Sequence, residues 1–88
     1  MPYYVYILLC EDGSYYTGYA KDVNRRFEQH KKGRGSRYTM MRRPKSIVYT
    51  EEFQKRSDAI KRERKIKSLS HRQKKRLIKL SNRIRTKV

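Results

Sequence analysis

The sequence predicts a small α+β domain: a three-stranded antiparallel sheet flanked by helices, in the order β-β-α-β-α-α. Two stretches, residues 3–10 and 15–19, are rich in aromatic and β-branched side chains and are separated by Glu11-Asp12-Gly13-Ser14. That pattern is a β-hairpin, because Gly13 accepts the positive φ of a tight turn. Helical spacing of apolar residues begins only after this hairpin. The chain has 88 residues, enough for one domain with a small core.

Each later element has its own signal. Asp22 is placed to cap a first helix whose apolar residues, Val23 and Phe27, lie one turn apart, and Gly33 can end it. Residues 31–41 are polar, with Gly33, Gly35 and Ser36, and read as a loop holding one short turn of helix. Pro44 closes that loop, and Ile47-Val48-Tyr49-Thr50 is the third strand. Residues 57–67 form the second helix, with Ala59, Glu63 and Ile66 on one stripe at spacings of four and three. Ser70 and Gln73 make a capping box for a last helix, whose Leu77, Ile78 and Leu80 should dock on the domain. The division expected is 1–69 for the domain proper and 70–88 for a basic helical extension packed on it.

Charge supplies the first clue to function. Lys and Arg number 25 against 8 Asp and Glu, a formal net charge of +17. Residues 1–50 hold ten basic and four acidic side chains, and residues 51–88 hold fifteen and four. Beyond Glu63 there is no acid, and Arg72, Lys74, Lys75, Arg76, Lys79, Arg83, Arg85 and Lys87 follow Ser70. A compact domain this basic repels itself unless a polyanion lies beside it, so nucleic acid is the expected partner. An anionic membrane surface is the weaker alternative: no Trp is present, and neither Phe lies in the most basic segment. No apolar run approaches the roughly 18 residues of a membrane span, and the pattern of a signal peptide is missing. An apolar content of 35% argues against a deep metabolic pocket, and a small-molecule cofactor is not expected. Cys10 is alone, so no internal disulfide forms, and a cytoplasmic setting is expected.

The residues that can carry chemistry fall in a fixed order. Tyr4-Val5-Tyr6 and Tyr16-Thr17-Gly18 lie on the two hairpin strands, ten residues apart from tyrosine to tyrosine. Arg26 and His30 follow on the first helix, four apart and therefore on one face, and Glu63 is the lone acid of the second-helix stripe. Taken singly, each has an ordinary structural explanation. Tyr6 and Tyr16 are two of eight tyrosines, Arg26 is one of 25 cations, and His30 suits a helix C-terminus. Glu63 can simply pair with Arg62 or Lys67, and Cys10 can be a small core residue. Those explanations do not account for the shared order.

The ordered set resembles the GIY-YIG nuclease family over about residues 3–69, and its short single-domain bacterial members most closely. The resemblance implies that Tyr6, Tyr16, Arg26, His30 and Glu63 form a catalytic site, with Glu63 holding Mg²⁺ or Mn²⁺. It implies that Tyr6 activates or orients the attacking water with Tyr16 nearby. A phenol titrates near 10, so Tyr6 would need its pKa lowered by neighbouring cations to serve as a base. One carboxylate suffices for Mg²⁺, which keeps most of its waters and takes other ligands from phosphate oxygens. Arg26 and the ion would stabilise charge on the phosphoryl group. The chain departs from the family signatures at Tyr4, which stands for glycine, at Thr17, which stands for an aliphatic residue, and at Tyr19, where some relatives carry lysine.

The function expected is a metal-dependent endonuclease acting on DNA with low sequence specificity, by one-step attack of water. One site would cut one strand, in a monomer or weak homodimer. Lys21, Arg25, Arg72, Lys75, Arg76 and Lys79 are the residues expected to hold the nucleic acid. Two alternatives stay open: a platform that binds DNA or RNA without cutting, its tyrosines stacking on unpaired bases, and an RNA-associated basic protein.

Overall fold

The computed structural model describes residues 1–85, and the side chains of residues 1–82. Lys87 of the basic tail, and the side chains of Arg83 and Arg85, lie outside the described residues. Strands β1 (Tyr3–Cys10), β2 (Tyr15–Ala20) and β3 (Pro44–Phe53) form one antiparallel sheet in the order β2-β1-β3. Helices α1 (Val23–Lys31) and α2 (Arg37–Arg42) separate β2 from β3, and α3 (Arg56–Lys67) and α4 (His71–Arg85) follow it. The α+β class and the three-stranded antiparallel sheet are as the sequence predicts. The loop between the first helix and third strand contains a capped helix, α2, rather than a single turn.

The hairpin turn forms as its residues require. Gly13 takes φ 85°, and Asp12 Oδ1 accepts hydrogen bonds from the Ser14 amide at 3.0 Å and the Ser14 hydroxyl at 2.5 Å. Strand β1 is central and is covered on both faces, so Val5, Tyr6, Ile7 and Leu8 are all buried. Alternation sends Val5 and Ile7 to one face, where Ala59 and Ile66 of α3 and Ile78 of α4 complete the hydrophobic core. Tyr4, Tyr6 and Leu8 point to the other face, where α1 and α2 lie.

Strand β3 is longer than the four residues expected. Pro44 opens it at a sheet edge, where a missing N–H costs no ladder bond, and polar Thr50, Glu51 and Glu52 continue it. A bulge lies at Val48: Tyr49 pairs with Ile7, while Ile47 pairs with Leu8. The extra residue keeps Tyr49 in the core and leaves Ile47 and Thr50 on the Tyr6 face.

The helices obey their caps. Asp22 accepts from the Arg25 amide at 3.0 Å to start α1. Ser70 and Gln73 exchange backbone-to-side-chain bonds of 2.9 and 3.1 Å ahead of α4. One packing expectation needs correction. Leu80 is 56% exposed while Ile78 is buried, because two residues turn a helix by about 200°. Val23 and Phe27 are only half-buried, and the buried side chain of α1 is His30. Among the described residues no helix is long and apolar enough to cross a membrane.

Candidate active site

The site is built around a hydroxyl on the central strand. Tyr6 is 1% exposed and its register partner is Gly18 on β2. A Cβ at position 18 would lie 2.6 Å from the Tyr6 hydroxyl, so only glycine leaves room for the tyrosine to cross the edge strand. The second signature tripeptide therefore supplies a gap as well as a tyrosine. Tyr16 flanks that gap, its ring centroid 6.4 Å from Tyr6 and 4.9 Å from His30.

The Tyr6 hydroxyl is hydrogen-bonded to His30 Nε2 at 2.9 Å, within the protein interior. His30 Nδ1 lies 2.8 Å from the Thr39 hydroxyl, which also reaches the Ser36 carbonyl at 3.2 Å. Ser36 in turn caps α2, accepting from the Thr39 amide at 3.2 Å. Helix α2 thus fixes Thr39, Thr39 orients His30, and His30 holds Tyr6. Gly35 closes this chain from above, since a Cβ there would run into the imidazole.

Arg26, one turn before His30, is tied in place by Gln29 Oε1 at 2.9 Å and the Gly35 carbonyl at 3.3 Å. Its charge reaches both ring groups. Burial and the Arg26 guanidinium push the His30 pKa down to about 4. Burial and the neighbouring Tyr16 push the Tyr6 pKa up to about 12, with Arg26 opposing and Glu63 reinforcing the rise. The lowering that Tyr6 would need to serve as a base is not met here: desolvation outweighs Arg26, and both groups are neutral near pH 7. It also displaces the view of His30 as a charged partner of the helix dipole.

Glu63 lies on α3, near enough for its charge to add to the rise of the Tyr6 pKa. Its side chain is 14% exposed and pairs with Lys67 Nζ at 3.6 Å, whereas Arg62 binds Glu51 at 2.7 Å. Among the described residues no three His, Cys, Asp or Glu cluster as metal ligands. A closed metal cage is therefore lacking there, and the donor set suits a hard ion that retains waters, held by one carboxylate. Lys67 is half-exposed on a flexible stem, so a divalent ion can take its place beside Glu63.

The expected nucleic-acid residues do not all converge. Lys21 and Arg25 are exposed at the start of α1, beside the site face. Arg72, Lys75, Arg76 and Lys79 are exposed on α4, whose core contacts lie on the opposite face of the sheet. Sequence reasoning passed over Ser36, Thr39 and Gly35. The signal was Ser36-x-x-Thr39, but threonine replaces the Glu or Gln that normally marks a capping box.

The GIY-YIG catalytic domain, as a family model, matches residues 2–76. The chain belongs to the GIY-YIG family. Within it, the chain is 53% identical over 77 residues to a UPF0213 protein of Staphylococcus aureus (strain Mu3 / ATCC 700698), covering 88% of this chain and 94% of that protein. Two solution NMR structures are similar to this chain in fold. The UPF0213 protein BH0048 from Bacillus halodurans is 46% identical, with a TM-score of 0.59 over 91% of this chain and 85% of its own. The protein EF2693 from E. faecalis is 38% identical, with a TM-score of 0.63 over 93% and 88%.

The buried histidine makes a prediction for this GIY-YIG domain. Unfolded, His30 titrates near 6.5, and folded near 4, so the unfolded chain binds more protons between these values. Stability should be complete above pH 6.5 and fall by roughly 2 to 3 kcal/mol as pH drops to about 4. At the alkaline end the sign reverses: Tyr6 stays neutral in the fold to about 12, so stability declines as pH rises from 10. Urea titrations followed by circular dichroism should show the acid limb in the parent and a flattened one in His30→Gln. An equally steep limb in that variant would assign the effect to other groups.

Proposed function

We propose that this protein is a metal-dependent endonuclease of the cytoplasm that hydrolyses phosphodiester bonds in DNA with low sequence specificity, one strand per site. The observation that carries this reading is the buried Tyr6–His30 hydrogen bond with Arg26 and Glu63 acting on it. A structural tyrosine needs no neutral imidazole held in one orientation by a second hydroxyl.

The hydrogen bonds suggest the direction of proton flow. With Thr39 donating to the Ser36 carbonyl, its oxygen would accept the Nδ1 proton, and this tautomer leaves His30 Nε2 as acceptor for the Tyr6 proton. As water attacks phosphorus, its proton passes to the Tyr6 oxygen while the Tyr6 proton passes to Nε2. The new P–O bond forms as the bond to the leaving oxygen breaks. Arg26 places its positive charge on the phosphoryl oxygens, and a phosphate there offsets the smaller of the two causes, after burial, that depress His30. Mg²⁺ or Mn²⁺ held by Glu63 would polarise the phosphoryl group and stabilise the leaving oxygen.

Lys21, Arg25 and the α4 cations Arg72, Lys75, Arg76 and Lys79 supply affinity rather than chemistry, and residues 70–88 act as a basic extension. With about five phosphates neutralised, log affinity against log salt should have a slope of about −4 to −5 on duplex and a shallower one on single strands. A flat response in filter-binding titrations would overturn this account of the +17 charge. The function itself is tested by incubating the protein with single-stranded, duplex, flap and four-way-junction DNA and with RNA, in Mg²⁺, Mn²⁺ or chelator. Cleavage of DNA that chelator abolishes is expected. Tight binding with no metal-dependent cleavage would favour the non-cutting platform instead.

A further inference from the structure

A cavity of about 740 Å³ opens on the same sheet face as Tyr6, between the start of α1 and strands β1 and β3. Tyr4, Ile47 and Thr50 form its floor and Val23 one wall, with Lys21, Asp22 and Asn24 at the rim. The Val48 bulge is what keeps Ile47 on this face. Tyr4 is two residues before Tyr6 on one strand, so both side chains leave the same face of the sheet with their Cα atoms about 7 Å apart. Nothing in the Tyr6–His30–Thr39 chain uses this space.

We propose that this cavity takes the unpaired base of the nucleotide next to the scissile phosphate, stacked on Tyr4, so that single-stranded or bulged DNA is the preferred substrate class. Position and composition argue for a base. The lining combines an aromatic ring with aliphatic side chains, and Asn24 offers an exposed amide at the rim, whereas the Lys21 ammonium lies over the Tyr3 ring, 5.5 Å from its centroid. Aromatic stacking holds any base by its face, which suits a site without sequence choice. The Asp22 carboxylate is engaged with the Arg25 amide, so α1 is already capped and the rim is not an anion cradle. The phosphate itself therefore belongs at Arg26, further along the helix. A base within a stacked duplex cannot enter a slot on the protein surface, which makes unpairing the condition for entry. Tyr4 stands where the GIY-YIG signature has glycine, and its ring is what this chain adds to the floor. The hydroxyl of Tyr4 is anchored by Glu52 at 3.2 Å, which restrains the ring across the strand pair.

The inference rests on the nuclease reading only for the placing of the scissile phosphate, and its test uses binding in chelator, where no cleavage is needed. Fluorescence anisotropy would compare duplexes bearing one bulged nucleotide with the same duplexes bearing a bulged abasic site. The parent protein should bind the bulged base about tenfold more tightly than the abasic form. Tyr4→Ala should remove that difference and Tyr4→Phe should keep it. If Tyr4→Ala does not fold, Asn24→Trp, which fills the mouth from an exposed position, should abolish the same difference. Equal affinity of the parent for base and abasic site, or a preference that survives loss of the Tyr4 ring or blocking of the mouth, overturns the proposal. Base discrimination in a protein that never cuts DNA would keep this site and overturn the nuclease reading; cutting without discrimination would do the reverse.

Discussion

Replacing Glu63 with glutamine should lower single-turnover cleavage by about a thousandfold or more. The substitution preserves shape and polarity and removes the carboxylate proposed to hold the divalent ion. Losing a single electrostatic contact in such a site already costs about 10² to 10³, and the ion supplies more than one. Binding measured without metal should hold or improve, because a carboxylate beside a phosphate repels it. Folding should change little: the ion pair with Lys67 is half-exposed on the lysine side and worth a fraction of a kcal/mol. Arg26→Ala should separate from this pattern by losing cleavage together with a modest amount of affinity, as one phosphate contact predicts. Rapid-quench kinetics on a labelled oligonucleotide, paired with anisotropy in chelator, measures both quantities. Cleavage that survives both chelation and Glu63→Gln would exclude a metal-anchoring role for this residue.

What the sequence disclosed about this site is the ordered set of side chains; what it withheld is how they act on one another. The hairpin, the capped α1 and the α3 stripe follow from local patterns, so Tyr6, Gly18, His30 and Glu63 were legible from periodicity and family signature together. The state of Tyr6 was not legible. Its elevated pKa depends on burial that only the assembled sheet and helices create, and that burial outweighs the arginine beside it. The role of α2 was hidden for a related reason. Six residues carry too little periodicity to declare a helix, and Thr39 becomes meaningful only when folding brings it 2.8 Å from His30. The Val48 bulge, which turns Ile47 towards the cavity, is likewise a tertiary accommodation, since a run of four apolar and polar strand residues gives no sign of a register shift. Leu80 shows the opposite error: an apolar residue near the right spacing need not be buried when its neighbour fills the core.

The relay through Tyr6 gives the second large expected effect. Tyr6→Phe removes one oxygen and keeps the ring beside the open Cα of Gly18, so the sheet and core packing stay intact. The loss of a buried hydrogen bond should cost about 1 kcal/mol, with some further penalty for the unpartnered imidazole nitrogen. Cleavage should fall far more, by about 10² to 10⁴, the usual worth of positioned proton transfer. Affinity for DNA in chelator should stay within about twofold, since the hydroxyl is buried against His30 and does not carry the charge that binds phosphate. Thr39→Val should give an intermediate defect, because it frees His30 to place its proton on Nε2 and so blocks the transfer from Tyr6 without touching either reacting group. The pH profile separates this from a general loss of structure. Parent activity should fall on the acid side as His30 becomes protonated, and the limb should vanish from the residual activity of Tyr6→Phe, which no longer hands a proton to the imidazole. A folded Tyr6→Phe protein that cuts within tenfold of the parent would show that the attacking water loses its proton elsewhere, and the Tyr6–His30–Thr39 chain would then be scaffolding for Arg26.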